Sequence, residues 1–207
     1  MFLERIPAGV YGANCYILGC EETGKAAVVD PGGDAVEILE YIEKSQLDLS
    51  FILLTHGHGD HIGGIPDIIK AKGVPVLIHR EDAYLLEDPE KNLSIYMSGP
   101  KVSLKADKLL TDGDIVPLGN IDLKIIHTPG HTLGSICIFT EDLLFSGDTL
   151  FANSIGRTDL EGGSFKKIID SILNKLFSLP EDTRVMPGHG PATSLKIEKL
   201  TNPFVNQ

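Results

Sequence analysis

Apolar and polar positions alternate along the chain with two periods, and the period changes from one segment to the next. The dense apolar runs CYILG (15–19) and KAAVVD (25–30), split by the turn-prone EETG, predict neighbouring strands. Asp34 with Glu37 three residues on reads as a capping box. It would open a helix in which Val36, Leu39 and Ile42 recur at helical spacing to about Ser45. FILL (51–54) predicts a strand, IPDIIKAK a short helix stopped by Gly73, and VPVLIH (74–79) the next strand. Residues 88–120 are weakly patterned and suggest surface loops and short strands. IDLKIIH, SICIF and DLLFS then predict strands, 165–179 an amphipathic helix, RVM a short strand, and 193–200 a last helix. Strands alternating with helices indicate an α/β class, with sheet layers covered by helices.

No low-complexity tract, charge block or internal repeat marks a linker, so residues 1–207 are expected to form one domain. A composition 42% hydrophobic and 23% charged is that of a globular chain. Eighteen basic against twenty-nine acidic residues leave a formal charge of −11 without a basic cluster, which argues against a nucleic-acid partner. The start, MFLERIPAGV, lacks an export signal's apolar core, and no run is long enough to span a membrane; a cytoplasmic protein is expected. Cys15, Cys20 and Cys137 form no C-x-x-C pair and are expected to be buried or inert thiols.

Chemistry concentrates where apolar runs end. FILL leads into THGHGDH (55–61), which packs His56, His58, Asp60 and His61 into one glycine-spaced loop. IDLKIIH leads to His131 in TPGH, DLLFS to Asp148, and RVM to His189 in PGH. Loops at strand ends form the binding crevice of layered α/β folds, so these groups are expected to face one site. Imidazoles and carboxylates are ligands for zinc, iron or manganese, and seven such groups exceed what one four-coordinate ion uses. Two ions, with three ligands each and one shared aspartate, account for all seven, and such a pair acidifies a shared water and holds a developing oxyanion. His79 and His127 are expected to be ordinary packed or surface residues, or else supports for the ligands.

These motifs resemble those of the metallo-β-lactamase superfamily: THGHGDH is similar to its T-H-x-H-x-D-H signature, and HTPGHT, FSGDT and MPGHG follow in the family's order. Within it the chain is most similar to short bacterial members of the glyoxalase II group. The resemblance implies a four-layer αββα sandwich with a dinuclear site between the ends of its sheets. By resemblance His56, His58 and His131 bind one metal, Asp60, His61 and His189 the second, and Asp148 bridges them. Zinc is the default, with iron or manganese as alternatives.

The implied reaction is thioester hydrolysis by attack of metal-bound hydroxide, on S-lactoylglutathione or a similar acylated small thiol, with Asp60 and Asp148 catalytic. The aspartate at 148, where zinc β-lactamases often carry cysteine, argues against antibiotic hydrolysis. The family's C-terminal helical domain, which helps hold glutathione, is not expected, because only residues 190–207 follow His189. Gly-Arg-Thr-Asp (156–159) stands where Gly-Lys-Phe-Tyr is usual; Arg157 would bind a substrate carboxylate or pair internally with Asp159. A mononuclear-iron persulfide dioxygenase, whose family shares Gly-Arg-Thr-Asp, is the alternative. The oligomeric state is left open.

Overall fold

The computed structural model describes residues 1–206. Strands β1 (Phe2–Ala8), β2 (Ala13–Gly19), β3 (Lys25–Val29), β4 (Asp48–Leu53), β5 (Val76–His79) and β6 (Lys108–Leu110) form one sheet in chain order. The second sheet begins with β7 (Ile115–Leu118), β8 (Ile121–His127), β9 (Ile136–Thr140) and β10 (Leu143–Gly147). A two-stranded ribbon, β11 (Leu150–Phe151) with β12 (Ser154–Ile155), follows, and β13 (Arg184–Pro187) and β14 (Thr193–Ser194) complete that sheet beside β10. Helices α1 (Ala35–Lys44), α2 (Gly59–Ile62), α3 (Ile65–Lys72), α4 (Ala83–Glu87), α5 (Phe165–Asn174) and α6 (Leu195–Thr201) fill the connections.

Period-two alternation sorts the side chains into layers. On β2, Tyr16 and Leu18 point between the sheets and meet Leu123, Ile125 and Phe145, whereas Cys15 and Ile17 point to the opposite face. That outer face packs on Ile38 and Ile42 of α1 and on Ile65 and Ile68 of α3. The far side of the second sheet buries Cys137, Leu144 and Val185 under Ile168 and Ile172 of α5 and Leu195 of α6. Three apolar layers between helices, sheet, sheet and helices give the αββα sandwich.

Strand direction brings the chemistry to one edge. β3, β4 and β5 run parallel, so their C-terminal ends share an edge of the first sheet. In the second sheet β10 and β13 are parallel, while β9 is antiparallel to both β10 and β8, which turns β8 the same way as β10. The two edges are tied together: Ile136 donates its N–H to the Thr55 carbonyl at 2.8 Å, and Asn14 donates its backbone N–H to the Gly188 carbonyl at 2.7 Å.

Some local expectations change. The capping box at Asp34 does not form: Asp34 has φ 46° and its carboxylate accepts the Gly9 N–H at 2.8 Å. Helix α1 therefore buries Ala35, Ile38 and Ile42, and Val36 is left exposed. The helix expected over 165–179 ends at Asn174 and gives way to a tighter turn at Leu176–Ser178. Thr193–Ser194 pair with β13, and Ser194 caps α6 by accepting the Ile197 N–H, so the last helix starts later than its apolar pattern suggests. β1 and α4 carry signals too weak to read from the sequence. All three cysteines are buried and unpaired.

Candidate metal centre

The turn after β4 carries the first donors. His56 and His58 are buried, and α2 begins immediately after them, so Asp60 and His61 extend from its first turn. From the other sheet, the loop after β8 brings in His131, whose Nε2 lies 2.9 Å from His58 Nδ1 and 3.3 Å from His56 Nε2. Nitrogens ~2.0 Å from one tetrahedral zinc stand about 3.3 Å apart, so the spacing suits a single ion.

A second cluster adjoins it. His189, in the turn after β13, places Nε2 3.2 Å from Asp60 Oδ2 and 3.3 Å from His61 Nε2. That turn is held from the first sheet: Asn14 donates its side-chain N–H groups to the Pro187 and Gly190 carbonyls, both at 2.9 Å, and Tyr16 donates its hydroxyl to Pro187 at 2.8 Å. Asp148, at the end of β10, lies between the clusters. Its Oδ1 is 3.4 Å from His61 Nε2, and its Oδ2 is 3.6 Å from His131 Nε2 and 3.8 Å from His189 Nε2. Gly188 is required here because a Cβ at that position would collide with Asp148 Oδ1 and His61.

Protonation states favour ligation. Burial, reinforced by the neighbouring histidines, holds His56 well below the ordinary imidazole range, and burial, then His131, pushes His58 down to about 3. Burial works against the charges of Asp60 and Asp148, but the surrounding histidines, His61 first and His189 with it, together outweigh it and hold both carboxyls below their ordinary range. Burial would likewise discharge His61; Asp148 and Asp60 instead raise it. The lowered histidines and the ionised carboxylates are in the ligating forms, whereas the raised His61 must release a proton to bind an ion. Asp148 Oδ1 is buried with no hydrogen-bond partner among the described residues, a costly arrangement that a cation would relieve. The donor set therefore fits divalent metal ions.

All seven expected donors converge. Three-membered groups with ligand atoms within 4.8 Å of one another are His56, His58 and His131; Asp60, His61 and His189; and Asp30, His56 and His61. The third brings in Asp30, passed over in the sequence. Its carboxylate accepts the Thr55 N–H at 2.8 Å, the Thr55 hydroxyl at 2.5 Å and His61 Nδ1 at 3.0 Å, so it supports the donors from behind. The same sign that marks Asp148, a carboxylate ending an apolar run, marks Asp30 after KAAVV.

Arg157 contributes through its backbone: its carbonyl accepts His131 Nδ1–H at 2.8 Å, which turns Nε2 to the centre. Its guanidinium forms two bonds of 2.8 Å to Asp159. His79 and His127 stack on each other with ring centres 4.0 Å apart, and neither bonds a candidate donor. Asp82, just after β5, was also missed. Its buried carboxylate accepts the Gly57 N–H at 3.2 Å, the Thr132 hydroxyl at 2.6 Å and the Gly134 N–H at 2.6 Å, which joins the two loops that carry the first donor group.

Above His58, Asp60, His131 and Asp148 opens a cavity of about 320 Å³. A narrower one of about 200 Å³ meets it at Tyr11, Asp60 and Met97. Among the described residues no helix is long and apolar enough to cross a membrane.

Known proteins resemble this chain along its length. Residues 8–189 match the model of the metallo-beta-lactamase superfamily. The hydroxyacylglutathione hydrolase GloC of Haemophilus influenzae is 36% identical over 210 residues, which cover 100% of this chain and 99% of that protein. Among solved structures, the B3 metallo-beta-lactamase BLEG-1 is 40% identical with a TM-score of 0.94 over 100% of both chains. TTHA1623 in a di-iron-bound form is 35% identical with a TM-score of 0.86, over 97% of this chain and 99% of that one. The match covers both sheets and every strand end that carries a donor: this chain belongs to the metallo-beta-lactamase superfamily, a superfamily of metallo-hydrolases.

Proposed function

We propose that this protein is a dinuclear-metal hydrolase that cleaves thioesters of a small thiol, the class that includes S-lactoylglutathione. The observation that carries the reading is Asp148, which lies between the two donor groups, Oδ1 3.4 Å from His61 and Oδ2 3.6 Å from His131 and 3.8 Å from His189, with Oδ1 otherwise unpartnered and buried. His56, His58 and His131 would hold one ion, Asp60, His61 and His189 the other, with Asp148 shared. When bound, such a pair supplies Lewis acidity to a carbonyl oxygen and lowers the pKa of water. Zinc suits the mixed imidazole and carboxylate set, and the di-iron form of TTHA1623 makes iron the leading competitor.

The chain's own residues do the rest. Asp60 has the more exposed of the two carboxylate side chains, and we assign it to orient the attacking water at the mouth. Asp148 fixes the separation of the donor groups. Arg157 holds the His131 ring by its carbonyl and is one of the residues lining the cleft. Because a thiolate is a good leaving group, no protein nucleophile is required. Residues 1–207 are read as one domain acting on a small molecule, and the three unpaired thiols suit a reducing cytoplasm.

The likeness to BLEG-1 favours a second reading, β-lactam hydrolysis, which the aspartate at 148 had argued against. A panel of acyl-thiols, β-lactams and a persulfide, assayed with metal analysis, separates the readings. Thiol release with two ions per chain supports the proposal. Lactam opening without thioester cleavage, or persulfide-dependent oxygen uptake with one iron, overturns it.

A further inference from the structure

We infer that the cleft selects thioesters whose flanking arm is uncharged and apolar or aromatic, and disfavours carboxylate-bearing thiols such as glutathione. The inference rests on the thioester reading and names its substrate class. The walls are Tyr11, Leu93, Tyr96, Met97, Leu160 and Arg157. Tyr11 and Tyr96 are 59% and 75% exposed, large aromatic faces presented to solvent beside the reacting centre.

One wall is preformed. Asn92 accepts the Gly59 N–H at 2.6 Å and donates its side-chain N–H groups to the Leu85 and Val102 carbonyls, both at 2.9 Å, which anchors the loop to the donor-bearing turn. Lys101 then ties its far end, donating to the carbonyls of Ser94, Ile95 and Met97 at 3.3, 2.7 and 3.4 Å. An ordered apolar wall binds without the entropy cost of being organised by the ligand.

Arg157 and the two lysines that flank Leu93–Met97 in sequence, Lys91 and Lys101, are engaged. Arg157, the one lysine or arginine lining it among the described residues, is bound in parallel to Asp159. Lys101 is surrounded by carbonyls, and Lys91 lies over the Tyr84 ring and 3.5 Å from Glu161. Glutathione's carboxylates would lose water here without gaining an unengaged cation, a penalty that an uncharged arm escapes. The chain's net charge of −11 adds repulsion at long range.

Calorimetric titration of the metal-loaded protein with two non-hydrolysable thioethers tests this. S-benzyl-N-acetylcysteamine is uncharged; S-benzylglutathione carries carboxylates on the same benzyl group. The uncharged thioether is expected to bind about fivefold tighter or more. Tyr96→Ala is expected to weaken it about tenfold. Asp159→Asn, which releases Arg157, is expected to tighten S-benzylglutathione alone, by about threefold. Equal or tighter binding of S-benzylglutathione by the native protein, or binding of neither thioether, overturns the inference. If the thioethers bind in the expected order but the benzoyl thioesters of both thiols resist cleavage, the preference stands and the hydrolase reading fails.

Discussion

Asp30 accepts Nδ1–H of His61 at 3.0 Å, and this bond decides which nitrogen of His61 faces the centre. With Nδ1 engaged, Nε2 is left to point toward Asp148, 3.4 Å away. Asp30 reaches this position at φ 50°, an unusual backbone state for a non-glycine residue. Asp30→Ala is expected to lower affinity for the ion proposed at Asp60, His61 and His189 by about 10- to 100-fold. Competition with a chelator measures it, and unchanged affinity would show that the bond does not orient the ligand.

Asp82 joins the two loops that carry His56, His58 and His131. Burial raises its carboxyl to about 6 against the opposing pull of Thr132, Gly134 and Gly57, so the group is costly to ionise but well supplied with donors. Asp82→Ala leaves the Gly57 and Gly134 N–H groups without their acceptor and is expected to cost about 3 kcal/mol in urea unfolding. Affinity for the ion of the first group should fall more than affinity for the second. Equal losses at both would mean that Asp82 supports the fold and not the loop geometry.

His79 links stability to pH. Burial, then His127 and Arg80, lowers its pKa to about 4, against ~6.5 in an unfolded chain. Between those values the unfolded state takes up a proton that the folded state refuses. Stability is therefore complete above about pH 6.5 and is lost as pH falls toward 4. His79→Phe keeps a ring against His127 and removes the titration. Over that window the native protein is expected to lose about 2 kcal/mol more than the variant. Parallel stability curves would remove His79 from the account.

The candidate donors stood out because each ends an apolar run or sits in one dense glycine-spaced loop, patterns that packing alone does not produce, and the fold brings them together. The sandwich was legible through the resemblance, and its layers follow from alternations such as Tyr16 and Leu18 against Cys15 and Ile17. Asp82 could not be found this way, since its partners lie 25 and 50 residues distant: Gly57 follows the neighbouring strand β4, and Thr132 meets it only when the two sheets close. Asp34 looked like a helix cap because the motif is local, whereas its actual partner, the Gly9 N–H, comes from the turn after β1. Helix ends near 175 and 195 were misplaced where strand pairing and tight turns overrode apolar spacing. The two uses of Arg157, carbonyl to His131 and guanidinium to Asp159, depend on loop conformation and leave no sign in composition.

The sharing of Asp148 between two ions is tested most directly by zinc titration of the metal-free protein, native and Asp148→Ala, with binding stoichiometry read by calorimetry. The native chain is expected to take up two ions, and the variant to lose tight binding of at least one while remaining folded by circular dichroism. Uptake of a single ion by the native protein, or of two with unchanged affinity by Asp148→Ala, would contradict the dinuclear centre.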